Sequence, residues 1–163
     1  MLRCMSDLAE AWLTLVEEDK ADEVAGKAFI PLIKLDSGCD YGLAEGPTWA
    51  RSDGTTLTVF SADTVRAFVE VFEHPRREFE DRVEKRAGEV GLPATEAAWS
   101  FPALQLVRAM LAEETAYFVR LALLWLLPTE LREMRADIQA VSEREEMPQA
   151  LRDLAVHLCV PER

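Results

Sequence analysis

Leu8, Trp12, Leu15 and Val16 recur at helical spacing near the start of the chain. They predict an amphipathic helix capped by Ser6 and running to about Glu18, with Asp7 and Glu10 in a first turn whose dipole favours negative charge. A short helix is expected at about 21–27. The period then changes. Phe29, Ile30, Leu32, Ile33 and Leu35 form a dense apolar run that reads as a strand, and Pro31, lacking an N–H, requires an edge or a bulge. Residues 36–47 carry Gly38, Gly42, Gly46 and Pro47 and read as the longest irregular loop. Two strands at about 48–52 and 55–60 flank Asp53-Gly54, a pair suited to a two-residue hairpin turn. Leu57 and Val59 are expected on one face, and Thr56, Thr58 and Phe60 on the other. Ser61 then opens a predicted helix in which Val65, Phe68, Val69 and Phe72 fall at i, i+3, i+4 and i+7. His74-Pro75 ends it.

From Arg76 to Val90 charge dominates, with Phe79, Val83 and Ala87 as a thin apolar stripe, so a solvated helix laced with ion pairs is predicted, stopped by Gly91 and Pro93. Pro102 suits the first position of another helix, whose signal continues through Glu114. Residues 115–127 mix helix-favouring Ala, Leu and Arg with Thr115, Tyr117, Phe118 and Val119, which suit a strand. The favoured expectation is a continuing, nearly all-buried helix. After Pro128, Thr129 caps a helix to about Glu145, and residues 149–159 form the last one. The pattern gives an α+β fold: a small antiparallel or mixed sheet with packed helices at about 1–74 and a mainly helical half at about 76–163, read together as one domain.

Composition changes this picture in two ways. The chain has 163 residues, 49% hydrophobic, enough to bury a core. Its formal net charge is −12, and the excess is spread along the sequence, so the whole exterior is expected to be negative. Such a field repels nucleic acid and anionic lipid and attracts basic proteins. Cys4, Cys39 and Cys159 are odd in number and lack CxxC spacing, which argues for reduced thiols rather than a disulfide or zinc framework. Asp7 and Glu10 interrupt the apolar start and no small-residue cleavage site follows, so no signal peptide is expected. The apolar run 116–127 contains Arg120 and is shorter than the roughly 20 residues a membrane span needs. A cytoplasmic protein with no membrane partner is the expectation.

The residues that usually carry chemistry are poorly arranged. His74 precedes a proline at a helix end, and His157 follows Asp153 by one helical turn. Neither belongs to a His-x-x-x-His or Glu-x-x-His pattern. Cys39 stands between Asp36 and Asp40, whose charges oppose a thiolate. No Gly-x-Ser-x-Gly and no phosphate-binding glycine loop occurs. Asp36-x-Gly38-x-Asp40 lacks the ligand spacing of a calcium loop. The pairs Glu17-Glu18, Glu113-Glu114 and Glu145-Glu146 are adjacent on helices and do not face each other. No catalytic residue, metal site or cofactor is therefore assigned. The 36–49 segment is the candidate binding element, with Asp36 and Asp40 as charges and Tyr41 and Trp49 as aromatic anchors for a protein partner.

Ile30-Pro31-Leu32, the Asp53-Gly54 turn and Val59-Phe60-Ser61 leading into an acidic-capped helix resemble the N-terminal domain of the SseB family over about residues 8–73. The usual turn of that family after Leu127 is not found. The resemblance implies an α+β fold, no recognised catalytic residues and a link to bacterial secretion systems and toxin-associated loci. The resulting expectation is a non-enzymatic acidic module that binds a basic protein, as an immunity or adaptor protein. The alternative is a small-molecule sensor or chaperone with an apolar pocket lined by Trp99, Tyr117 and Trp125. Self-association along a stripe such as Phe79-Val83 is left open.

Overall fold

A computed structural model describes residues 2–160, and side chains from residue 7 onward. Cys4 and the cap expected of Ser6 lie outside the described side chains. The fold is α+β. The chain divides into two compact units, Met1–Pro102 and Ala103–Arg163. The sheet-bearing part thus extends well beyond residue 75, because the charged helix after His74-Pro75 packs on the sheet.

The first unit opens with α1 (Leu2–Glu17), which begins before Ser6. Leu8, Trp12 and Leu15 are buried along it, and Trp12 Nε1 donates to the Leu43 carbonyl (3.2 Å). Residues 22–24, expected to be helical, are instead a strand, β1 (Asp22–Val24). It folds back through Ala25 and Gly26, both at positive φ, onto β2 (Lys27–Lys34). Two consecutive positive φ angles are what a tight hairpin needs, and the carboxylates of Asp22 and Glu23 blunt this outer strand against unwanted pairing.

The sheet is antiparallel, in the order β1-β2-β3-β4-β5. β3 (Asp40–Ala44) lies inside the segment expected to be loop. Its glycine does not break it but permits it: a Cβ on Gly42 would lie 2.0 Å from the Ile30 carbonyl oxygen. The β2–β3 register shifts between Pro31 and Ile33, and β1 pairing ends at Phe29, so both the edge and the bulge expected as alternatives at Pro31 are present. β4 (Thr48–Ser52) and β5 (Leu57–Val59) follow. Their connection spans residues 53–56 rather than two residues. Asp53 Oδ1 accepts the N–H groups of Thr55 (2.9 Å) and Thr56 (2.8 Å), which closes the longer loop.

The segment Val65–Glu73 is a 3-10 helix opened by Thr64, not an α-helix capped by Ser61. Thr64 Oγ1 donates to the Val59 carbonyl (2.6 Å) and ties the start of the helix to β5. At three residues per turn, Phe68 and Val71 share a face. Val71 and Phe72 are buried with Phe68, while Val65 and Val69 are only half-buried. Helix α2 (Arg76–Val90) buries the expected stripe, Phe79, Val83 and Ala87, and ends at Gly91 in the left-handed conformation. It packs against β2 and against α3 (Ala94–Trp99).

On the sheet face carrying Leu43 and Trp49, the Trp49 ring meets Phe79 (centroids 6.2 Å) and Phe101 (5.0 Å). On the opposite face Val24, Phe29, Ala44 and Ala50 cluster, joined by Leu57.

The second unit contains α4 (Ala103–Leu111), α5 (Ala116–Trp125), α6 (Arg135–Ser142) and α7 (Gln149–Cys159). Residues 116–125 are helical, as favoured, but do not continue α4. Arg144 donates to the carbonyls of Leu111 and Glu113 (2.9 Å each), satisfying the exposed end of α4 from another helix pair. α5 is amphipathic rather than all-buried: Val119, Ala122, Leu123 and Trp125 are inside, and Tyr117, Arg120 and Leu124 are exposed. The helix expected from Thr129 is shorter, being a 3-10 turn at Pro128–Glu130 followed by α6. Among the described residues, no helix is long and apolar enough to cross a membrane.

Candidate functional site

Asp36, Asp40, Tyr41 and Trp49 do not form a common exposed surface. Tyr41 is fully buried (0% exposed) and Trp49 nearly so (2%). Alternation along β3 and β4 turns both rings toward the helices, and strand pairing places Trp49 opposite Leu43 and Arg51 opposite Tyr41. Trp49 Nε1 donates to Ser100 Oγ (2.8 Å), so its polar edge is satisfied inside the first unit. Both rings are therefore core, not partner anchors. Asp36 is exposed, with His74 Nε2 at 3.9 Å, and Asp40 lies 3.9 Å from Lys34 Nζ.

The turn around Asp36 is organised by a residue the sequence did not single out, Glu70 of the 3-10 helix. Its carboxylate accepts the Ser37 N–H (2.8 Å), the Ser37 hydroxyl (2.7 Å) and the Tyr41 hydroxyl (3.0 Å). Partial burial works against the charge of Glu70, but the Ser37 bonds outweigh it and hold the carboxyl below its ordinary range. Burial and the neighbouring Glu70 charge push the Tyr41 hydroxyl far up, so it stays protonated at neutral pH. Burial also opposes the charge of Arg51, and the adjacent Tyr41 restores and exceeds it. A permanently protonated phenol, a permanently charged guanidinium and a committed carboxylate have no proton to exchange near neutrality. This constellation is a clasp between the 36–40 turn and the 3-10 helix. Cys39 is buried beside it, and its N–H donates to Ser37 Oγ (3.2 Å).

Two other features of the first unit face solvent. Trp99, at the end of α3, is 74% exposed, whereas Trp12, Trp49 and Trp125 are buried. Glu96 precedes it by three residues on the same side of the helix. Between β2 and α2 runs an open groove of about 440 Å³, lined by Pro31, Leu32, Ile33, Lys34, Asp40, Arg82, Lys85, Arg86 and Glu89. The exterior is thus not uniformly negative: four cations stand here against two carboxylates. The spacing of 82, 85, 86 and 89 on one helical face was visible in the sequence, but their position across from Lys34 was not.

Of the residues expected to line an apolar pocket, Trp99 belongs to the first unit and Trp125 is buried in the second. Tyr117 lines a cleft of about 540 Å³ with Ala116, Arg120, Pro148, Ala150, Leu151 and Leu154. The chain matches no family model, no curated protein and no solved structure.

Proposed function

We propose that this chain is a non-catalytic, cytoplasmic protein-binding module whose partner is a more basic protein. The observation that carries this reading is the exposed indole of Trp99 beside Glu96 on a net-acidic molecule. A solvated tryptophan forgoes the burial that makes it the most rewarding anchor at interfaces, and an arginine from a partner could stack on its face while pairing with the carboxylate. The acidic field would speed the encounter, with the indole supplying affinity. Recognition is thereby moved away from the 36–49 segment. An adaptor or immunity role is the one that the SseB-like pattern implies.

The test is affinity capture from the source cytosol with wild-type chain and Trp99→Ala as parallel baits, at low and high salt. Retained proteins should be basic, be lost at high salt and be at least about tenfold depleted on the variant, the scale of an interface hot spot. Equal capture by both baits, or retention of acidic proteins only, would refute the reading.

A further inference from the structure

We propose that the groove between β2 and α2 binds an extended acidic peptide segment of another protein, with its carboxylates on Lys34, Arg82, Lys85 and Arg86. The groove lining does not include Trp99, and its ligand carries the charge opposite to that of the basic partner.

From Ile30 onward β2 pairs with β3 on one side, because its pairing with β1 ends at Phe29. Four consecutive β2 residues line the groove, together with one face of α2. Strand addition to this edge is disfavoured: Pro31 has no N–H to offer, and Arg82 Nη2 already donates to the Lys34 carbonyl (2.8 Å). Recognition would therefore run through side-chain charge. The contact to Lys34 fixes the Arg82 fork while leaving other donors of the guanidinium for a ligand.

The other three cations are loosely held. Lys34 and Asp40 stand 3.9 Å apart and Arg86 and Glu89 3.3 Å apart, with substantial exposure of each pair. Lys85 has no ion pair among the described residues. Exposed pairs of this kind add little stability, so an incoming carboxylate displaces or shares them readily.

Geometry selects the ligand class. From Arg82 to Arg86, the cations of α2, the helix rises about 6 Å, the distance between alternate residues of an extended chain. Charges spread over that distance suit carboxylates at alternate positions of a peptide rather than one compact anion. A long polyanion such as DNA, or an anionic membrane, would extend beyond the Debye length of roughly 8–10 Å into the negative field of the rest of the chain. A short acidic segment stays within the groove.

Fluorescence anisotropy with a labelled four-residue peptide, Glu-Ala-Glu-Ala with blocked ends, against its Gln counterpart, tests this on the full chain. At low salt the Glu peptide should bind at least about tenfold more tightly, and near-physiological salt should weaken it strongly. Lys85→Glu combined with Arg86→Glu should lower its affinity at least about tenfold, while Arg120→Glu in the second unit, a change of the same sign, should alter it less than about twofold. Circular dichroism establishes that both variants are folded. Equal binding of the two peptides, equal loss in both variants, or tighter groove-dependent binding of an oligonucleotide or of phosphatidylserine vesicles would overturn the proposal.

Discussion

Replacing Glu70 by glutamine keeps the shape of the clasp and removes its charge. In the native chain three donors converge on the carboxylate: Ser37 N–H, Ser37 Oγ and Tyr41 Oη, at 2.7–3.0 Å. Hydrogen bonds to a charged acceptor contribute about 1.5–3 kcal/mol, against about 0.5–1.5 for neutral pairs, so each contact stands to lose about 1 kcal/mol. The glutamine NH₂ must also face at least one of these donors. Ser37 is exposed and recovers part of its loss from water; Tyr41 is fully buried and does not. The net expectation is a destabilisation of about 2 kcal/mol, which shifts a urea midpoint by about 1 M when the slope is near 2 kcal/mol per molar. The pH dependence adds a second signature. The carboxyl is held below its ordinary value in the folded chain. Its contribution is therefore complete above the unfolded pKa of about 4.3 and is lost as pH falls through the lower, folded value. Urea unfolding of wild type and Glu70→Gln, followed at pH 7 and then at successively lower pH, should show a gap that closes only below about pH 4. Adding Tyr41→Phe to both should give a non-additive cycle. A gap under about 0.5 kcal/mol at pH 7, or one that persists unchanged under acid, would refute the clasp.

Gly42→Ala should be among the most damaging single changes in the first unit. Its new methyl would lie 2.0 Å from the Ile30 carbonyl oxygen, so β2 and β3 must separate at the bulge; the expected loss exceeds about 3 kcal/mol, read as a large fall in the urea midpoint or as insoluble expression. Asp53→Asn addresses the β4–β5 loop. The bonds from Thr56 and Thr55 lower the Asp53 carboxyl to about 2, so its stabilising effect is present above the unfolded value and lost as pH falls through the folded one. The variant should have a lower thermal midpoint at pH 7, and the difference should vanish as the pH approaches 2; a difference constant with pH would remove the carboxylate from the explanation.

Some of this molecule was legible from sequence because the deciding interactions are local. The stripe Phe79, Val83, Ala87 and the stop at Gly91 follow from helical periodicity and the conformational freedom of glycine, and both are present. The need for an edge or a bulge at Pro31 follows from a missing N–H on that residue alone. The order of elements, one helix, then the strands, then the remaining helices, followed from the change of period along the chain. Elsewhere the decision belonged to partners distant in sequence. The glycine-rich segment after Asp36 became β3 because β2 and β4 pair with it on both sides. Tyr41 and Trp49 became core because helices cover the face onto which strand alternation turns them. The break between α4 and α5 is held by Arg144, more than 30 residues away. The cationic groove exists because α2 lies along β2, bringing Arg82 to the Lys34 carbonyl. Periodicity encodes which side of an element avoids water; what covers that side, and which charges then share a surface, is set by long-range packing that no local pattern contains.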